Sequence, residues 1–133
     1  MRYLTAEEIL IIHSEIIDQT GGAHGVRDNH LLFSSIERAK TSFGGRELFP
    51  SIFEKAAAYF HSLAMFHVFI DGNKRTAIAC AARFLDLNNY ELEMTNKGVE
   101  SFVLKAVVQK LEITEIARWF GKHSRKTGTS GKT

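Results

Sequence analysis

Between His67 and Arg75 the chain gathers an imidazole, a carboxylate, an amide and two cations: His67-Val68-Phe69-Ile70-Asp71-Gly72-Asn73-Lys74-Arg75. This is the most polar interruption of an otherwise apolar middle, and its order suits an anion. A helix starting near Asn73 leaves its first backbone N–H groups unpaired and presents the positive end of its dipole. Lys74 and Arg75 add two formal charges at the same place, and Gly72 lets the backbone approach a phosphate closely. Exposed cations in a first turn oppose the helix dipole by about 0.3–1 kcal/mol each. A sequence shaped only for helix stability would carry acids there, so the misplaced charges point to a bound polyanion. Asp71 is placed to hold Mg²⁺ against that polyanion. An imidazole can be neutral at cellular pH, so His67 is placed to take a proton from a hydroxyl nucleophile. The parts suit transfer from a nucleotide.

Each part also has an ordinary structural reading. A histidine at a helix end is commonly a C-terminal cap, an aspartate before a helix an N-cap, and a Lys-Arg pair a solvated face. Six constrained positions in one short stretch favour a site over separate coincidences. The other histidines, His61 among them, show no metal-binding spacing, which argues against a zinc enzyme.

The elements that must position these residues read as helices, because apolar side chains recur at spacings of three and four. Residues 5–20 open with the capping-box pair Thr5 and Glu8 and stop at Gly21-Gly22. Asp28 is the expected N-cap of a second helix running to about Lys40, with Arg27 as its expected ion-pair neighbour. Residues 41–50, with a central Gly44-Gly45, predict a short hairpin or irregular flap. Ser51 and Glu54 repeat the capping-box spacing before a segment from Ile52 to His67 that is apolar nearly all round, the mark of a central buried helix. A fourth helix is expected from about Asn73 to Asn88, and weaker patterns predict two more over 95–110 and 114–122. Cys80, Trp119 and Phe120 read as core. The expected fold is a compact all-α domain of about six helices with one flap between the second and third.

The chain has 133 residues, 44% of them hydrophobic and 24% charged, which is one domain's worth of globular composition. A lone cysteine excludes a disulfide within the chain, and the opening Met1–Glu8 lacks a signal peptide's apolar stretch. The expected setting is cytoplasmic, with no membrane association. The net charge of +2 arises after Gly121, where Lys122, Arg125, Lys126 and Lys132 stand without an acid. Residues 1–121 carry a formal charge of −2, with 13 basic against 15 acidic side chains. No direct nucleic-acid binding is therefore expected. The expected organisation is one domain over 1–121 followed by a disordered basic tail over 122–133.

The stretch from His67 to Arg75 resembles the Fic/Doc family motif, H-x-F-x-(D/E/N)-(G/A)-N-(G/K)-R, at His67, Phe69, Asp71, Gly72, Asn73, Lys74 and Arg75. Gly21 to Asp28 followed by Leu31-Leu32, then Phe43-Gly44-Gly45, and Phe84 to Tyr90 are similar to Doc (death-on-curing) chains in order and spacing. The resemblance covers about residues 3–120. It implies the all-α Fic fold, with His67 as general base and Asp71 as Mg²⁺ and phosphate organiser. Gly72, Asn73, Lys74 and Arg75 would bind the phosphates of ATP, and residues 41–50 would form the flap that docks the target.

Relatives that transfer AMP commonly have Gly where this chain has Lys74. The lysine resembles Doc, in which an inverted nucleotide presents its γ-phosphate. The resemblance thus implies phosphorylation of a protein Ser or Thr, with elongation factor Tu as the expected target and arrested translation as the result. Val68 stands in place of a common Pro, and Gly72 in place of the Ala of some Doc chains. Many Fic proteins restrain themselves through (S/T)-x-x-x-E-(G/N), yet none of the 11 glutamates here is followed by Gly or Asn. Control by a separate, Phd-like antitoxin is therefore expected. AMP transfer, or a catalytically silent module binding nucleotide or a partner, remain the alternatives.

Overall fold

A computed structural model of the chain describes residues 1–128. Six helices carry it: α1 (Ala6–Thr20), α2 (Asn29–Arg38), α3 (Ile52–Met65), α4 (Asn73–Leu87), α5 (Asn96–Val108) and α6 (Ile113–Lys122). Strands β1 (Ser42–Phe43) and β2 (Arg46–Glu47) pair antiparallel about Gly44-Gly45 and form the flap between α2 and α3. The helical fold with its flap is the architecture expected from the sequence.

The capping signals act as read. Thr5 accepts from the backbone N–H of Glu8 while the Glu8 carboxylate accepts from that of Thr5, and Ser51 and Glu54 repeat the exchange at the start of α3. Asp28 caps α2 by accepting from the N–H of Leu31 at 3.0 Å. Helix α3 stops at Met65, two residues short of the expectation, because His67 adopts φ +52°, which no right-handed helix accommodates.

Helix α3 is the central element, packed most extensively on α4 and next on α6. Its run Ala56-Ala57-Ala58 is fully buried, and these small side chains let the facing Ala77, Cys80, Ala81 and Phe84 of α4 come close. Burial pushes the Cys80 thiol up, as befits a core residue, and pushes the Tyr59 phenol up to about 12. Tyr59 also accepts from the N–H of Leu4, tying the N-terminus to the core. Phe120 is fully buried edge-to-face against Phe60, and the half-buried Trp119 stacks on Phe102 at 3.7 Å. Both anchor α6 as expected.

The expectation of a disordered tail beginning at residue 122 needs correction over the described residues. Lys122 closes α6, and β4 (Ser124–Lys126) pairs antiparallel with β3 (Tyr90–Leu92). The main-chain pairing extends past both strand ends, from the Glu93 N–H to the His123 carbonyl at 2.7 Å and from the Thr127 N–H to the Asn89 carbonyl at 2.9 Å, and Arg125 adds exposed ion pairs to Glu91 at 2.6 Å and Glu93 at 2.9 Å. Neither strand shows alternation long enough to be read from sequence. Residues 129–133 of the expected tail lie outside the described residues.

One buried charge ties the flap to the core. Lys55 of α3 is 1% exposed, and its ammonium donates to Glu47 of β2 at 2.7 Å and to the Ala39 carbonyl at 3.3 Å. Removing one partner of such a pair costs more than replacing the charge by an apolar side chain of similar shape. Glu47→Ala is therefore expected to lower stability by about 1–3 kcal/mol, and Lys55→Met by less. Urea unfolding of the two variants checks the order.

Candidate active site

The chain reverses between α3 and α4, and this reversal is pinned from two sides. The segment between α1 and α2 runs antiparallel against it: Val26 bridges Phe69, the Arg27 N–H donates to the Val68 carbonyl at 2.8 Å, and the Ile70 N–H donates to the Gly25 carbonyl at 3.1 Å. The Arg27 guanidinium then spans two further carbonyls, those of His67 at 2.5 Å and Phe66 at 3.1 Å. An unusual left-handed backbone at His67 is held by this clamp. Arg27 thus grips main chain, and the side chain of Asp28, its expected ion-pair partner, caps α2 while its N–H donates to the Val68 carbonyl at 3.2 Å.

From the other side, the Asn73 side chain closes a small ring, accepting from the Phe69 N–H at 2.8 Å and donating to the Phe69 carbonyl at 2.9 Å. Both ends of the amide are engaged, so Asn73 shapes the loop with its side chain and faces a ligand only through its backbone. Below the loop lies His13 of α1, 3% exposed, stacked on Phe69 at 3.8 Å and bonded through Nε2 to the Asp71 carbonyl at 2.8 Å. That acceptor requires the proton on Nε2. The sequence analysis missed this support; its signal was a histidine on the buried face of α1, four residues from both Ile9 and Ile17.

Asp71 is oriented by its Oδ2, which accepts from the Ala23 N–H at 2.8 Å. The approach requires Gly22, whose φ is +109° and on which a Cβ would stand 3.2 Å from the Asp71 Cβ. Gly72 is constrained more severely, with φ +77° and an added Cβ only 2.9 Å from Ile17 Cδ1.

Gly72 is also the N-cap of α4 and supplies no side-chain bond, so the first amides of α4 have no capping side chain and its first turn no acid. Lys74 and Arg75 are exposed in that turn and form no ion pair among the described residues. The His67 ring, also exposed, makes no hydrogen bond among the described residues. His67, Asp71, Gly72, Asn73, Lys74 and Arg75 all line one cleft of about 720 Å³, together with His61, Ala64 and Met65 of α3 and Val107 and Lys110 at the end of α5. The structure therefore brings together the six motif residues His67, Asp71, Gly72, Asn73, Lys74 and Arg75, whereas Arg27, Asp28 and the flap do not line this cleft.

This geometry puts an open imidazole, a carboxylate and an uncapped, cation-bearing helix start around one space of ligand size. The sequence model of the Fic/DOC family matches residues 3–85, which include this cleft's entire loop. The chain belongs to the Fic/Doc family. It is similar to the protein named Toxin Doc of Mycolicibacterium smegmatis, with 40% identity over 90 residues, 68% of this chain and 67% of that one. It is also similar to the protein named Protein kinase doc of Escherichia phage P1, with 33% identity over 117 residues, 88% of this chain and 91% of that one. Both relatives carry Doc names, so the resemblance to the Doc branch read from the motif stands.

Asp71 is the carboxylate of this cleft that could hold a metal, and the start of α4 the part that could hold phosphates. Asp71 is a single carboxylate, and no cluster of three metal-ligating side chains occurs among the described residues. A site of this kind suits Mg²⁺, which commonly takes one or two carboxylates and completes its shell with phosphates and water. The missing Cβ at Gly72 lets the loop pack closely on Ile17 and His13 of α1. Gly72→Ala is expected to cost about 1–3 kcal/mol from the left-handed backbone alone, and more from the contact with Ile17. Pairing it with Ile17→Val should recover only part of the loss in urea unfolding.

Proposed function

We propose that this protein is a Doc-type toxin that transfers the γ-phosphate of ATP to a Ser or Thr hydroxyl of a protein target. Elongation factor Tu is the first target to examine, with arrested translation as the consequence. The observation that carries the reading is Lys74, without an ion-pair partner among the described residues, beside Arg75 on the open first turn of α4 and in the same cleft as His67 and Asp71. Support comes from the relative named Protein kinase doc, which is matched over most of both chains.

In this reading the main-chain amides at the start of α4, with Lys74 and Arg75, bind the phosphate chain and oppose the charge that builds up during transfer. Asp71, held by the Ala23 N–H, would hold the Mg²⁺. Bound there, Mg²⁺–ATP supplies the phosphoryl group, its charge partly neutralised by the metal. His67 receives the proton of the target hydroxyl on an open ring nitrogen, and Arg27 keeps the backbone of His67 in place while it does so. Positioning and charge neutralisation are the main requirements of phosphoryl transfer. AMP transfer is the second reading, from the family alone; the side chain and charge of Lys74 crowd the space where AMP-transferring relatives have Gly.

Control by a separate Phd-like antitoxin belongs to the same proposal. The surface of α1 offers Leu10 at 37% and Ile11 at 58% exposure as apolar anchors for a partner segment. No described helix is long and apolar enough to cross a membrane. The thermal midpoint is expected to rise when the protein encoded immediately upstream is added, and an unchanged midpoint would remove the antitoxin from the reading.

The deciding assay mixes the purified protein with elongation factor Tu and Mg²⁺, using ATP labelled at either the γ- or the α-phosphate. Label transferred from γ alone is the expected result; label from α would establish AMP transfer. His67→Ala should abolish transfer with an unchanged circular dichroism spectrum, because the exposed ring contributes little to the core.

A further inference from the structure

The wall of the cleft made by α3 carries a polar group that the phosphate chemistry does not use. His61 accepts a hydrogen bond on Nδ1 from the Arg38 guanidinium at 2.9 Å, and the same Arg38 nitrogen donates to Ser62 Oγ at 3.0 Å. Because Arg38 can only donate, Nδ1 is unprotonated and the ring proton sits on Nε2. Burial and then the neighbouring Arg38 charge both push His61 down, which keeps the ring neutral. Phe66 meets the ring edge-on at 5.7 Å and lies 5.6 Å from the Arg38 guanidinium, so the pair is held by packing as well. Nε2 has no partner among the described residues and is not among the buried unpartnered atoms. The outcome is a ring with a fixed N–H donor, on a residue that lines the cleft one turn ahead of Met65 and also borders the smaller groove with Arg38 and Phe49.

Ala64 and Met65 of α3 and Val107 of α5 line the same cleft and offer apolar surface of a kind that takes the flat face of a base. A phosphate chain seated at Lys74 and Arg75 leaves the remainder of the cleft to the group attached to it. We propose that His61, oriented by Arg38, and the apolar surface of Ala64, Met65 and Val107 form the nucleoside subsite, with the Nε2–H donated to a ribose oxygen or a base nitrogen. The inference rests on the reading of the cleft as a nucleotide site. His61 is then a binding residue, and Arg38 a positioning residue that acts through it.

The test compares Mg²⁺–ATP with Mg²⁺–tripolyphosphate, which has the phosphate chain and no nucleoside, by calorimetry on the wild type, His61→Leu and His61→Gln. Loss of one neutral hydrogen bond should weaken ATP about five- to tenfold in His61→Leu and leave tripolyphosphate unchanged. Gln keeps an acceptor for Arg38 and a donor for the ligand, so His61→Gln should bind ATP within about twofold of the wild type. A merely structural role for His61 would weaken both ligands together or neither, and either outcome overturns the subsite. A wild type that binds neither ligand would overturn the nucleotide reading itself, whereas wild-type ATP binding indifferent to His61→Leu would overturn the subsite alone.

Discussion

Everything in the cleft depends on the main-chain reversal between α3 and α4, a loop whose shape is held by hydrogen bonds from two distant parts of the chain and from its own last residue. Arg27 fixes the carbonyls of Phe66 and His67, His13 fixes that of Asp71, and Asn73 binds both polar groups of Phe69. The loop stores backbone strain at His67, and a strained residue persists only where its surroundings over-determine it. Here the surroundings do so with main-chain bonds, so the His67 ring is left unoccupied by structural duty. The supporting groups thereby leave the imidazole unengaged, and the Asp71 carboxylate is engaged only through Oδ2, by Ala23, among the described residues.

The same economy governs the cations. In a helix built for stability, the first turn carries acids and a capping side chain. The other helices of this protein largely follow that rule, with Thr5, Asp28, Ser51 and Thr95 as side-chain caps. Helix α4 breaks it: Gly72 contributes no cap, and Lys74 and Arg75 face the dipole. The fold tolerates the arrangement because α4 is secured along the rest of its length by Ala77, Cys80, Ala81, Phe84 and Leu85, all fully buried. Core packing offsets a local electrostatic cost at the one helix start where an anion can relieve it.

Buried charge is used just as sparingly on the other side of α3. Lys55 joins the flap to the core, and Arg38 joins α2 to His61 and Ser62 at the edge of the cleft. The flap exit at Phe49 shares a smaller groove with Arg38 and His61. Helix α3 therefore supports the flap at its start and the cleft at its end.

The sequence by itself determined the helices, their caps and the residues of the motif, because these are signals of local chemistry. A capping box lies within four residues, and the crowding of cations at the start of α4 is visible in consecutive letters. It did not disclose His13, 58 residues from the carbonyl it serves, nor the grip of Arg27 on a loop 40 residues away. The pairing of β3 with β4 was equally hidden, since three-residue strands have too little periodicity to read and the partners Glu91 and Arg125 stand 34 residues apart in the chain. His61 stood in the sequence as one histidine among six; only the approach of Arg38 from another helix fixed its tautomer and gave it a direction. Identity and spacing are properties of the chain, whereas the orientation of a ring, the protonated nitrogen and the shape of a loop are set by contacts between segments that only packing brings together.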